Sequence, residues 1–112
     1  MIQEVRRNTR VLIAFGDCAV TGNVTALRNP LGSAEPVLRR SYVEQVDLQP
    51  QIPCEPGIVP VLRDRVTPVH AVVKVDFYVP GCPPPATRIR AVLEQFLTGG
   101  PARLEGREIK FG

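Results

Sequence analysis

The chain has 112 residues with 44% hydrophobic and 22% charged residues and a formal net charge of +3. That length fits one domain or part of one, and no apolar run approaches the roughly 20 residues of a membrane span. Its arginines are scattered and aromatics are only 5%, which argues against nucleic-acid binding, since such binders cluster basic residues and interleave aromatics.

Met1 to Asn8 reads as the end of a helix, with Arg6 and Arg7 suited to its C-terminal dipole. No basic segment, apolar run and small-residue cleavage site stand in order, so a cytoplasmic location is expected. Arg10 to Phe15 is the first expected strand. Its run Val11-Leu12-Ile13-Ala14-Phe15 suits a strand buried on both faces. Gly16, Asp17 and Cys18 follow at once. Ala19 to Asn29 is expected to turn into a short helical piece, and Leu31 to Glu35 to be a loop. Pro36 can open a helix running to about Glu44. Gln45 to Pro60 carries four prolines and is expected to be irregular. A loop that long in a small domain is usually functional or packed against something. One or two helical turns are expected within Val59 to Val66.

The second expected strand spans Val72 to Val79, where Val73, Val75, Phe77 and Val79 alternate with Lys74, Asp76 and Tyr78. Pro80 and Gly81 end it, and Cys82 follows on a turn stiffened by Pro83, Pro84 and Pro85. Ala86 to Leu97 is expected to be a helix with Ile89, Val92, Leu93, Phe96 and Leu97 along one stripe. Gly99, Gly100 and Pro101 stop it, and the tail Ala102 to Gly112 is expected to lie on a surface.

Both strands thus end in a glycine followed shortly by a cysteine. In a parallel sheet the two cysteines emerge at the same carboxyl edge, where open α/β sheets bind ligands. A thiol on a rigid turn there is well placed to be a metal ligand. The sequence has only three cysteines, widely spread and without a C-x-x-C, which argues against a disulfide framework. Cys18, Cys54 and Cys82 with His70 form a formal zinc set, but no pair has zinc-finger spacing. Cys54, in the proline-rich loop, is expected to be a partly exposed free thiol. His70 is a candidate for a subunit contact or proton path, against the plainer reading of a non-functional histidine. Asp17 reads as a turn residue. Asn23 and Arg28 are candidates for a subunit contact, against a local role in their loop. The fold class is α/β, a partial parallel sheet with flanking helices. Two strands alone are too few for a stable parallel sheet, so the first strands of the domain are expected to be missing from this chain.

The residues also carry a resemblance. F-G-D-C-A-V-T-G-N-V (15–24), L-R-N-P (27–30) and V-D-F-Y-V-P-G-C-P-P (75–84) resemble the small subunit of nickel–iron hydrogenases. P-V-L-R-R-S-Y-V-E (36–44), E-P-G-I-V-P (55–60) and L-E-G-R-E-I-K-F-G (104–112) resemble that of the bidirectional, NAD-linked branch. P-G-C-P-P also marks the related quinone-site subunit of respiratory NADH dehydrogenase, which stands as the alternative. A clusterless scaffold that binds the large subunit is a third reading.

The resemblance implies a flavodoxin-like domain holding one 4Fe–4S cluster on four cysteine thiolates. Cys18 and Cys82 match the third and fourth ligands; the early C-x-x-C that supplies the other two has no counterpart here. Residues 1–112 then form the C-terminal part of a single domain. The implied role is electron transfer between a hydrogenase large subunit, which holds the nickel–iron centre, and flavin- and NAD-binding subunits. No catalytic residue is implied. Backbone N–H groups of Gly16, Gly22 and Gly81 are candidates to donate to cluster sulfurs.

Overall fold

The computed structural model describes residues 1–100 and 103–105. The chain divides into two compact units, one formed by Met1–Val24 with Thr67–Gly112 and the other by Thr25–Val66. Among the described residues no helix is long and apolar enough to cross a membrane.

The first unit is built on a two-stranded parallel sheet. Helix α1 (Ile2–Arg7) leads to strand β1 (Ile13–Phe15), and β1 runs directly into a short helix α2 (Asp17–Val20). After a 3-10 turn at Val69–Ala71 comes strand β2 (Phe77–Val79), then helix α4 (Ala86–Leu97). The register pairs Ile13 with Phe77, Ala14 with Tyr78 and Phe15 with Val79. Pairing is anchored before the strands begin. Asp76 N–H and Phe77 N–H donate to the Leu12 carbonyl at 2.9 and 3.4 Å. The Asp76 carboxylate accepts from Leu12 N–H at 2.9 Å and from Arg6 at 2.7 Å.

Both strands are shorter than the apolar patterns suggest. Upstream of β2, Val72 and Val73 donate to the Val69 carbonyl, so that backbone is spent on a turn and is not free for a ladder. The expected burial of β1 on both faces is corrected as well. Ala14 is buried, but Phe15 is 50% exposed and Val11 39% exposed. The buried apolar residues described in this unit are few: Ala14, Val20, Val79 and Val92.

Helix α4 has the expected bounds. Pro85 precedes it in an extended conformation, and Thr98 closes it through its N–H and hydroxyl, both donating to the Glu94 carbonyl. Its buried line is rotated from the expected stripe. Arg88 and Val92 are buried, while Leu93 and Leu97 are 52% and 86% exposed. Phe96 packs edge-to-face on Phe77, with ring centroids 5.6 Å apart.

The second unit begins within a 3-10 helix, Asn23–Leu31, followed by α3 (Glu35–Arg39), which widens into a π turn over Arg40–Glu44. Pro36 sits at the start of α3, as its fixed φ allows. Residues 45–68 form no helix or strand. The helical turns expected in Val59 to Val66 are absent, and the Val66 N–H that would close the last of them is taken by the Asn29 side chain. Arg28 donates to Arg63 O and Asp64 O at 2.5 and 3.1 Å. Asn29 pairs with both backbone groups of Val66, at 2.8 and 2.9 Å. Arg28 therefore has the local role weighed for it. Of the tail expected on a surface, Arg103 and Glu105 are exposed and Leu104 is half-buried, and the rest of it lies outside the described residues.

Candidate functional site

The parallel register fixes where the two cysteines emerge. Phe15 and Val79 are paired at the ends of β1 and β2. Cys18 and Cys82 each lie three residues beyond those ends (18 − 15 and 82 − 79). Cys18 sits in the first turn of α2, and Cys82 sits on the turn between β2 and α4. Both thiols are free and exposed.

The loops that carry them are bonded to each other. Gly16 N–H donates to Val79 O at 2.7 Å, and Asp17 N–H donates to Gly81 O at 3.0 Å. In return, Gly81 N–H donates to Asp17 Oδ1 at 2.5 Å. Arg88, one turn into α4, donates from its guanidinium to the Pro80 carbonyl. Asp17 and Arg88 are the buried charged residues of the described chain, 5% and 9% exposed. Asp17 thus does more than shape a turn. Arg88 was missed in the sequence. The signal that could have found it is its place at i, i+4 with Val92 and i, i+8 with Phe96, a charge on the apolar line of α4.

The turn before Cys82 is tight. Gly81 has φ +136°, and a Cβ built on it would lie 2.5 Å from Pro84 Cα and 2.8 Å from Pro84 N. The Cys82–Pro83 peptide is cis. The glycine N–H groups named as candidate donors to a cluster are already engaged: Gly16 by Val79 O, Gly22 by Cys18 O and Gly81 by Asp17. That expectation is corrected. The backbone near Cys18 is spent on holding the two loops together.

The donor chemistry can be tested against a four-thiolate cluster. Thiolates are soft ligands suited to iron–sulfur clusters, and two exposed thiols on bonded loops at one sheet edge supply half of such a set. Among the described residues no group of three His, Cys, Asp or Glu side chains lies close enough to hold a metal ion. Cys54 is not brought to this edge by the fold of the first unit. It is an exposed thiol of the second unit, lining an apolar cavity of about 530 Å³ with Leu38, Tyr42, Ile52 and Val59. His70 lies on the Val69–Ala71 turn and meets Tyr78 edge-on, with ring centroids 5.8 Å apart.

At the opposite end of the strands, the Leu12 N–H donating to Asp76 holds its carboxyl below its ordinary value. The charges of Arg6 and Lys74 act in the same direction, against a desolvation penalty.

Comparison with known proteins finds relatives over nearly the whole chain. A solved structure of NAD+-reducing [NiFe]-hydrogenase in the H2-reduced state is similar to 99% of this chain, with a TM-score of 0.87 and 33% identity. The chain covers 62% of that structure's chain. The delta subunit of the NAD-reducing hydrogenase HoxS of Cupriavidus necator is 36% identical over 104 residues, 89% of this chain and 49% of that protein. A subunit of the F420-non-reducing hydrogenase of Methanococcus voltae is 37% identical over 110 residues, 96% of this chain and 35% of that protein. The chain therefore spans about half or less of the length of these curated relatives. Residues 1–96, which hold both cysteine loops, match the family described as NADH ubiquinone oxidoreductase, 20 Kd subunit, and the chain belongs to that family.

Proposed function

We propose that this chain is part of the electron-transfer small subunit of an NAD-linked nickel–iron hydrogenase, with Cys18 and Cys82 as two of four thiolates holding a 4Fe–4S cluster. The carrying observation is the equal offset of the two cysteines beyond paired parallel strands, on loops that bond each other. The similarity to hydrogenase subunits over nearly the whole chain supports the choice of hydrogenase within the family. When bound, such a cluster supplies one-electron transfer.

The chain's own residues do the holding. The strands fix the spacing of the two loops, and both cysteines are exposed. These residues cannot complete a four-thiolate set, because the sequence has only one other cysteine, Cys54; in the resemblance the remaining two thiolates belong to an early C-x-x-C. In this reading residues 1–112 form part of one flavodoxin-like domain. Its neighbours are the nickel–iron large subunit on one side and the flavin- and NAD-binding subunits on the other. The chain supplies no acid, base or nucleophile.

The test is iron and acid-labile sulfide analysis of the anaerobically purified complex carrying Cys18→Ser, Cys82→Ser or Cys54→Ser. Loss of the cluster's iron and sulfide in the first two, with full content in the third, is expected. Full content in Cys18→Ser and Cys82→Ser would sink the assignment.

A further inference from the structure

One peptide unit of the Cys82 turn is held from both ends by buried charged side chains. The carbonyl of Pro80 and the N–H of Gly81 belong to the same planar peptide. Arg88 donates to that carbonyl, and Asp17 Oδ1 accepts from that N–H at 2.5 Å. The next peptide is tied as well, since Gly81 O accepts from Asp17 N–H at 3.0 Å. Asp17 stands next to Cys18, and Gly81 stands next to Cys82. Each link therefore acts close in sequence to a thiol.

Pro80 and Gly81 are themselves buried, so the peptide between them needs partners, but neutral groups would satisfy it as well as charged ones. Burying charged side chains is costly unless each is well satisfied. Here both are 5–9% exposed, and both bond the same peptide. Hydrogen bonds to charged groups are stronger and more directional than neutral ones. What the pair adds is orientation. It removes rotation of the Pro80–Gly81 plane, the motion that would swing Cys82 relative to Cys18.

We infer that Asp17 and Arg88 are positioning residues for the Cys18–Cys82 pair, clamping the peptide before Cys82 so that the two thiols are presented at fixed separation to a metal cluster. This rests on the cluster reading above. Neither side chain is a ligand in it. Asp17 acts through the Gly81 N–H, and Arg88 acts through the Pro80 carbonyl.

The test uses the assembled complex, purified anaerobically, with three variants: Asp17→Ala, Asp17→Asn and Asp76→Ala. Two readouts are followed, the rate of iron release to a chelator and the electron paramagnetic resonance lines of the reduced cluster. Asp17→Ala removes the acceptor, so release should quicken about tenfold, the low end of what a hydrogen bond to a charged group contributes. The resonance lines should shift or broaden. Asp17→Asn keeps an acceptor oxygen and should restore release to within about threefold of wild type. Asp76→Ala weakens the same sheet from its other end and should leave the lines where they are, which separates positioning from general loosening. Where Asp17→Ala fails to assemble, Arg88→Lys, which keeps a charged donor on α4, is read by the same lines, and a shift is expected. Unshifted lines with unchanged release in Asp17→Ala, or unshifted lines in Arg88→Lys, would overturn the inference. So would an equal shift in Asp76→Ala. A wild-type complex whose iron is indifferent to Cys18→Ser and Cys82→Ser would instead overturn the cluster reading and take this one with it.

Discussion

Gly81→Ala offers a direct measure of how tightly the Cys82 turn is built, with Gly16→Ala as its partner. Gly16 has φ +82° and ψ 157°, a region close to glycine-only, but a Cβ there would meet nothing nearer than Gly81 O at 3.6 Å. Its substitution therefore costs backbone strain alone, about 1–3 kcal/mol. Gly81 has φ +136°, and its Cβ would overlap Pro84 Cα at 2.5 Å and Pro84 N at 2.8 Å, with Pro83 O at 3.1 Å. These are backbone and ring atoms that cannot rotate away. The same strain of about 1–3 kcal/mol then adds to a displacement cost of about 1–3 kcal/mol, so about 4 kcal/mol in all. Urea unfolding of the full chain followed by circular dichroism would read the difference. At a slope of about 2 kcal/mol/M, Gly81→Ala should unfold at a midpoint about 1 M below Gly16→Ala. Equal midpoints, or a lower one for Gly16→Ala, would refute the overlap argument.

Two further outcomes concern the first unit. Val92→Ala removes two methyl groups from a residue 2% exposed and should cost about 2 kcal/mol, whereas Leu97→Ala, 86% exposed, should stay within about 0.5 kcal/mol; equal costs in urea titrations would show that the buried line of α4 is misplaced. Asp76 has a lowered folded-state pKa, so its contribution to stability is present above the ordinary carboxylate value of 3.8 and is lost as pH falls through the folded value. Asp76→Asn should therefore flatten the acid limb of a stability profile below about pH 4. An acid limb as steep as wild type would show that other carboxylates set it.

Much of the site was legible in the chain itself. The repeated order of apolar run, glycine and cysteine placed Cys18 and Cys82 at one sheet edge, and the structure has that parallel pairing. The helix Ala86–Leu97 was readable to its ends, because Pro85 and the 3.6-residue pattern mark it locally. Strand lengths were not readable. Val72 and Val73 look like strand residues, yet their N–H groups are taken by Val69 O in a turn, a competition that side-chain alternation does not record. The stretch Val59 to Val66 was misread for a similar reason, since the Val66 N–H is held by the side chain of Asn29, more than thirty residues away in sequence.

The sequence by itself determined which residues can be thiolate ligands, how far each stands beyond its strand, and where α4 begins and ends. These depend on residue type and local spacing. Only the tertiary structure decided that Asp17 and Arg88 meet on one peptide of the Cys82 turn, 64 residues from Asp17 along the chain. It also decided that Leu93 and Leu97 face outward while Arg88 is buried. Periodicity defines a face of a helix, but only the contacts made against it select which edge of that face is covered, and here these include Arg88 on the Pro80 carbonyl and Phe96 on Phe77 of β2.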